Sequence, residues 1–183
     1  LKTMKNGSKM KKWLKKASTK YVPANDDVKL FDNVAEGKKL MDIASATKGN
    51  LSREFSNIIR KIDVLYAMVK QDAERLGYGL VLCHNDTYAP NFLTDDKENI
   101  YLIDWEYAGL NYAANDIGCI LCRYDWSDQQ IERYLKAFVG RELTDNEHRY
   151  YMAFIPISAF YWFCWGYMMY AIIIVRIYRS MWK

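Results

Sequence analysis

The chain has no secretory signal, no internal repeat and no low-complexity tract, and its charge is nearly balanced, with 26 basic against 22 acidic side chains. Without a signal, four cysteines (Cys83, Cys119, Cys122, Cys164) set in apolar stretches argue against a disulfide framework and for a reducing, cytoplasmic setting. The net charge of +4 does not describe a basic surface, because eight lysines fall within the first twenty residues and the remainder is slightly acidic. Nucleic acid is therefore not an expected partner. Cys119 and Cys122 form a lone C-x-x-C with no second pair and no neighbouring His, which excludes a zinc or redox centre there. Nothing before residue 80 alternates as a strand does, and no glycine-rich turn leads into a lysine placed to grip phosphate. Gly77 and Gly79 precede a strand instead of following one, so they read as a helix stop.

What the chain does contain is enough apolar material, 51% of 183 residues, for one substantial core. From Tyr150 to Val175 no residue is charged, a run longer than the roughly 20 residues that cross a bilayer. That run has no Leu, carries Pro156 and Ser158 early, and spreads ten aromatics along its length, where a spanning helix gathers them at its ends. It reads as two buried helices broken near Pro156, with no membrane span.

The remaining elements follow from spacing. The lysine-rich start has too few apolar residues to bury a face and reads as a solvated helix or tail. Leu30, Val34, Leu40 and Met41 suggest a short amphipathic helix weakened by Gly37. Asn50 to Ser52 reads as a cap for a long helix striped by Phe55, Ile58, Ile59, Ile62, Leu65, Val69, Ala73 and Leu76 and closed by Gly77. Leu80 to Cys83 and Ile100 to Ile103, with Asn91 to Thr94 between them, read as short strands of one small sheet. Helices follow from near Ala114 to Asp116, from a Ser127 to Gln130 capping box with Gly140 beyond its end, from Thr144 to Glu147, and after Pro156. The expected class is α+β, mostly helical.

The polar knot "LCHNDTYAPNF" interrupts an apolar run without the Gly that a plain surface turn would use. Asp86 and Asp104 each end a predicted strand, where an ionised carboxylate is costly unless a cation or hydrogen-bond donors compensate it. Mg²⁺ takes one or two carboxylates with substrate phosphates in its other positions, and Asn91 adds an amide oxygen. Asp86, Asn91 and Asp104 thus read as a metal and phosphate site, with one carboxylate free to act as a base.

The spacing H-x-D-x-x-x-x-N in "HNDTYAPN", followed by "LIDWEYAG", resembles the catalytic core of kinase-fold small-molecule phosphotransferases, and "IDWEYAGLNYAANDIG" is most similar to the choline and ethanolamine kinases. The resemblance implies an enzyme that uses ATP and Mg²⁺ to phosphorylate the hydroxyl of choline or ethanolamine. It makes Asp86 the catalytic base, Asn91 and Asp104 the metal ligands, and Asp116 and His84 the support of the loop. On the substrate side it implies an aromatic and acidic cage from Glu106, Tyr107, Trp162 and Trp165, while Tyr88 stands where eukaryotic members carry a Gln. Other readings are an aminoglycoside or sugar-hydroxyl phosphotransferase, whose pocket would be lined by acids, and a binding module that keeps the fold without turnover.

The same resemblance leads residues 1–183 to be read as the carboxyl-terminal, substrate- and metal-binding lobe of a protein-kinase-like fold, its catalytic loop carried by a small β-hairpin sheet. The amino-terminal nucleotide lobe is missing from that picture, and Leu1 in place of Met suggests an excised piece of a longer polypeptide. Two expectations follow: negligible turnover by the piece alone, and an exposed apolar face at the lobe interface that invites self-association.

Overall fold

A computed structural model describes residues 28–48, 55–97 and 99–181, so the lysine-rich start and the cap expected at Asn50 to Ser52 lie outside the described residues. Helix α1 (Asn33–Lys48) is opened by Asp32, whose Oδ1 accepts the Val34 and Ala35 amides at 3.0 and 2.9 Å. Val34, Met41 and Ala44 form its buried face. Leu30, expected on that face, instead precedes the helix, bridges to Leu110 and is 57% exposed. Gly37 has a packing reason, since a Cβ there would lie 2.9 Å from the Phe160 ring.

Helix α2 (Ser56–Leu76) buries Ile62, Tyr66, Val69 and Ala73, while Ile58 at its outer start stays exposed. Gly77 closes it in the left-handed region (φ 70°), and the Tyr78 amide donates to Ala73 O at 2.8 Å. The single sheet expected from the apolar runs is two separate antiparallel ribbons. Strand β1 (Val81–Cys83) pairs with β4 (Gly109–Asn111), and β2 (Phe92–Thr94) pairs with β3 (Ile100–Leu102). Strand β4, the tripeptide Gly-Leu-Asn, holds one apolar side chain and none of the β-branched or aromatic residues that mark strands, and its partner β1 lies 28 positions upstream.

Helix α3 (Ala113–Leu121) follows β4 directly and is buried over most of its length. The capping box of α4 (Asp128–Val139) forms reciprocally between Ser127 and Gln130, and Gly140 ends the helix at φ 86°. Helix α5 (Asp145–Met181) runs unbroken through Pro156, contrary to the expected pair of helices. One lost hydrogen bond is outweighed there because both sides of the proline are core: Tyr150, Tyr151 and Phe154 before it, Ile157, Phe160 and Cys164 after it.

By length and composition alone Asp145–Ile173 is apolar enough to cross a membrane. Of its apolar window 39% is buried, and the helix packs against α1, α2 and α3. The α3 and α5 backbones are in contact at Gly118, where a Cβ would lie 2.4 Å from Phe154 O. Ile117, Leu135, Tyr150, Phe154 and Ile157 fill the centre, and the fold is α+β, mostly helical, with small antiparallel ribbons. Leu93, Tyr101, Ile103 and Trp105, on and just after the β2–β3 ribbon, are exposed.

Candidate functional site

The polar knot leaves the core where β1 ends, and a buried acid holds its first turn. Asp116, in the first turn of α3, accepts the His84 amide on Oδ2 at 3.0 Å and the Asn85 amide on Oδ1 at 2.8 Å. The Thr87 hydroxyl donates to the Asp116 carbonyl. Burial raises the Asp116 carboxyl from 3.8 to about 6, against the lowering effect of the two amides. His84 is buried, and its Nδ1 accepts the Asp86 amide at 3.2 Å while Nε2 donates to Ile103 O at 2.8 Å. Those two partners define one tautomer, with the proton on Nε2. The His84 ring also meets Trp105 edge-on at 4.8 Å, so it is wedged between the residues on either side of Asp104.

Asn85 and Asp104 are the described non-glycine residues with positive φ, 63° and 65°. Both are types that tolerate the left-handed region, and Asn85 directly precedes Asp86. The Asn91 Nδ2 donates to the carbonyl and to Oδ2 of Asp86, at 2.9 and 3.0 Å. This leaves the Asn91 Oδ1 without a donor among the described residues. The Ile103 amide donates to Asn91 O at 3.0 Å, which ties the residue preceding Asp104 to the knot.

Asp86 is largely covered, its side chain 13% exposed, whereas Asp104 is exposed and has no hydrogen-bond or ion-pair partner among the described residues. The expected burial therefore holds for Asp86 and not for Asp104, because β3 ends at the surface. The Tyr107 hydroxyl feels both carboxylates as well as Glu106; it is raised above its ordinary value mainly by burial and further by these acids. No cluster of three His, Cys, Asp or Glu among the described residues could hold a metal unaided. The free amide oxygen of Asn91 and the free carboxylate of Asp104 are, however, the hard oxygen donors that suit Mg²⁺ completed by phosphate oxygens.

The aromatic residues converge on this end of the molecule. Tyr107 meets Trp162 edge-on at 5.5 Å, and Trp162 meets Trp165 at 6.0 Å. Tyr161 packs beside Trp162 at 5.0 Å. Glu106 is exposed, as is Tyr88.

Two features had no counterpart in the sequence reading. Arg123 donates from Nη2 to Asp86 Oδ1 at 2.7 Å and lies 4.0 Å from the Trp162 ring centre. A buried amide ladder also runs beneath the knot. Asn111 Nδ2 donates to Asn33 Oδ1 at 2.9 Å and to Asn85 Oδ1 at 3.0 Å, Asn115 Nδ2 donates to Asn85 Oδ1 at 2.9 Å, and Ser158 donates to Asn115 Oδ1 at 3.1 Å. Asn85 Nδ2 in turn donates to Tyr107 O at 2.9 Å, so α1, the knot, β4, α3 and α5 are linked through uncharged groups. The signal available for it was the cluster of asparagines inside the apolar "LNYAANDIG". Burial raises all four thiols, Cys122 to about 11 and Cys164 to about 12, which leaves them protonated and inert at neutral pH.

A family model described as choline/ethanolamine kinase matches residues 2–152. Ethanolamine kinase 2 of Rattus norvegicus is 33% identical over 141 residues, covering 65% of this chain and 37% of its own length. The human ethanolamine kinase 2 is 30% identical over 150 residues, covering 70% and 39%. A choline/ethanolamine kinase family protein from Mesorhizobium loti shares the fold with a TM-score of 0.70 at 21% identity, over 91% of this chain and 54% of that one. A choline kinase from Streptococcus pneumoniae does so with a TM-score of 0.64 at 18% identity, over 90% and 55%. The chain thus spans less than two-fifths of those curated relatives and just over half of those solved structures.

Proposed function

Because the chain belongs to the choline/ethanolamine kinase family, we propose that it carries the acceptor- and metal-binding half of an enzyme that phosphorylates the hydroxyl of choline or ethanolamine with ATP. Asp86 orients the acceptor hydroxyl and takes its proton. A carboxylate suffices for this, since in a loose phosphoryl-transfer transition state the nucleophile loses its proton late and orientation outweighs basicity. Asn91 and Asp104 hold the metal ion through the oxygens that their neighbours leave free. A bound Mg²⁺ would neutralise charge on the transferring phosphate.

Asp116 and His84 position the loop, and Tyr107, Trp162 and Trp165, with Glu106 and Tyr88 at the rim, receive the amino end of the alcohol. The observation that carries this reading is the Asn91 to Asp86 contact, with the Asp104 segment bonded to the same loop. An aminoglycoside pocket would instead be lined by acids, and the aromatic cluster speaks against it. The intact set of Asp86, Asn91 and Asp104 likewise speaks against a module without turnover. The exposed Leu93, Tyr101, Ile103 and Trp105 would seat the rest of such an enzyme, and four unpaired thiols suit a cytoplasmic setting.

The test is a product assay with choline, ethanolamine and an aminoglycoside. ATP-dependent phosphorylation of an amino alcohol is expected from the complete polypeptide and negligible turnover from these 183 residues alone. Phosphorylation of the aminoglycoside in preference to both alcohols would refute the assignment.

A further inference from the structure

Arg123 sits just beyond the end of α3, its amide directed at Ile120 O, and its side chain is only 20% exposed. The guanidinium bridges the two functions of the site. Besides its 2.7 Å bond to Asp86, it lies over the Trp162 ring at 4.0 Å and over the Tyr88 ring at 4.5 Å. Its Nε is buried without a hydrogen-bond partner, so beyond the Asp86 bond two aromatic faces hold it in place.

We propose that Arg123 is a specificity-determining residue of the acceptor site: by occupying the Trp162 face it disfavours alcohols with a quaternary ammonium and leaves the site to those with a primary one. This rests on the amino-alcohol reading above. A quaternary ammonium has no N–H, so aromatic faces and unpaired carboxylates are its only partners, and an indole is the best such face. A weakly hydrated guanidinium already seated 4.0 Å over that ring excludes a second cation from the same face. To reach Trp162, choline must expel Arg123 and strip the well-covered Asp86 of its counter-charge. A primary ammonium carries three donors instead. It can use exposed Glu106 and the Tyr107 hydroxyl at the rim while Arg123 stays in place.

The experiment is calorimetric titration of choline and of ethanolamine into the full chain and into Arg123→Met, a substitution of similar length without charge. Choline binding should tighten about tenfold, the ratio that one desolvated cation–π contact supports, while ethanolamine changes by less than roughly threefold. The gain for choline should vanish in the Arg123→Met, Trp162→Leu double variant. Arg123→Gln, which keeps a donor for Asp86, should reproduce the shift and guards against a packing defect in the Met variant. Equal change for both alcohols, or no gain for choline in either variant, would overturn the role of Arg123 while leaving the amino-alcohol reading standing. Binding of neither alcohol by any of these proteins would overturn that reading, and the role of Arg123 with it.

Discussion

Two carboxylates, Asp86 and Glu147, each face an arginine, and they differ in how the arginine is held. Glu147, in the first turn of α5, accepts from Arg141 Nη1 and Nη2 at 2.8 and 2.6 Å, from the Thr144 amide and hydroxyl at 2.9 and 3.0 Å, and from Tyr78 OH at 2.8 Å. Every lone pair is used by a group of the protein, and the Arg141 guanidinium holds the carboxyl far below its usual range. Asp86 has one bond from its arginine and, at the side chain, one from Asn91. Its remaining lone pairs are open, and Arg123 is steadied by aromatic faces. A pair that closes on itself is architecture; a pair left open on one side can exchange a partner for a substrate.

The largest test of that contrast is a pair of isosteric changes. Asp86→Asn should lower turnover of the complete kinase by about 10²- to 10⁴-fold, far more than the stability lost when the covered Arg123 gives up its counter-charge would explain. Turnover that falls no further than in the Glu147 variant would erase the distinction. Glu147→Gln should instead cost about 2 kcal/mol of stability, because the covered side chain gives up its charge-assisted bonds from the half-exposed Arg141 and from Thr144, with little direct effect on chemistry.

Acid titration sharpens the comparison because the buried acids have opposite signs. Asp116 has its folded value raised from 3.8 to about 6, so the unfolded chain releases this proton first and stability from this group falls as pH rises between those values, then levels. Glu147 is lowered from 4.5, so its contribution is complete above that value and drains as pH falls below it. Urea midpoints against pH should lose their decline between about 4 and 6 in Asp116→Asn, and lose their acid-side drop in Glu147→Gln. A decline that survives in Asp116→Asn would assign it to another group. The smallest effect belongs to a group that contacts neither acid: Ser127→Ala, which removes half of the α4 capping box, should cost about 1 kcal/mol in thermal unfolding and leave activity intact.

How much of this could be read in advance depended on sequence distance. The knot was legible because Asp86 and Asn91 are five positions apart in one turn, and their chemistry restricts the residue types that can stand there. The α2 stripe and the Ser127 box were legible for the same local reason. Arg123 was not, since it lies 37 positions from Asp86 and reaches it only after α3 has folded back over the loop. Nor was the amide ladder, whose rungs join residues 78, 26 and 30 positions apart and which follows no helical or strand period. Pro156 misled because its local preference is strong, yet the core on both sides of it is stronger.

The ladder also bears on how the protein ages. Its rungs are primary amides, and Asn85 is held in a left-handed turn with its donor and acceptor ends both engaged. Hydrolysis of that single amide to an acid would turn a donor into an acceptor facing the Tyr107 carbonyl, and the mismatch would pass through Asn111 and Asn115 to the elements they join. Wear at one nitrogen atom would then loosen the polar knot as a unit through the elements those amides join.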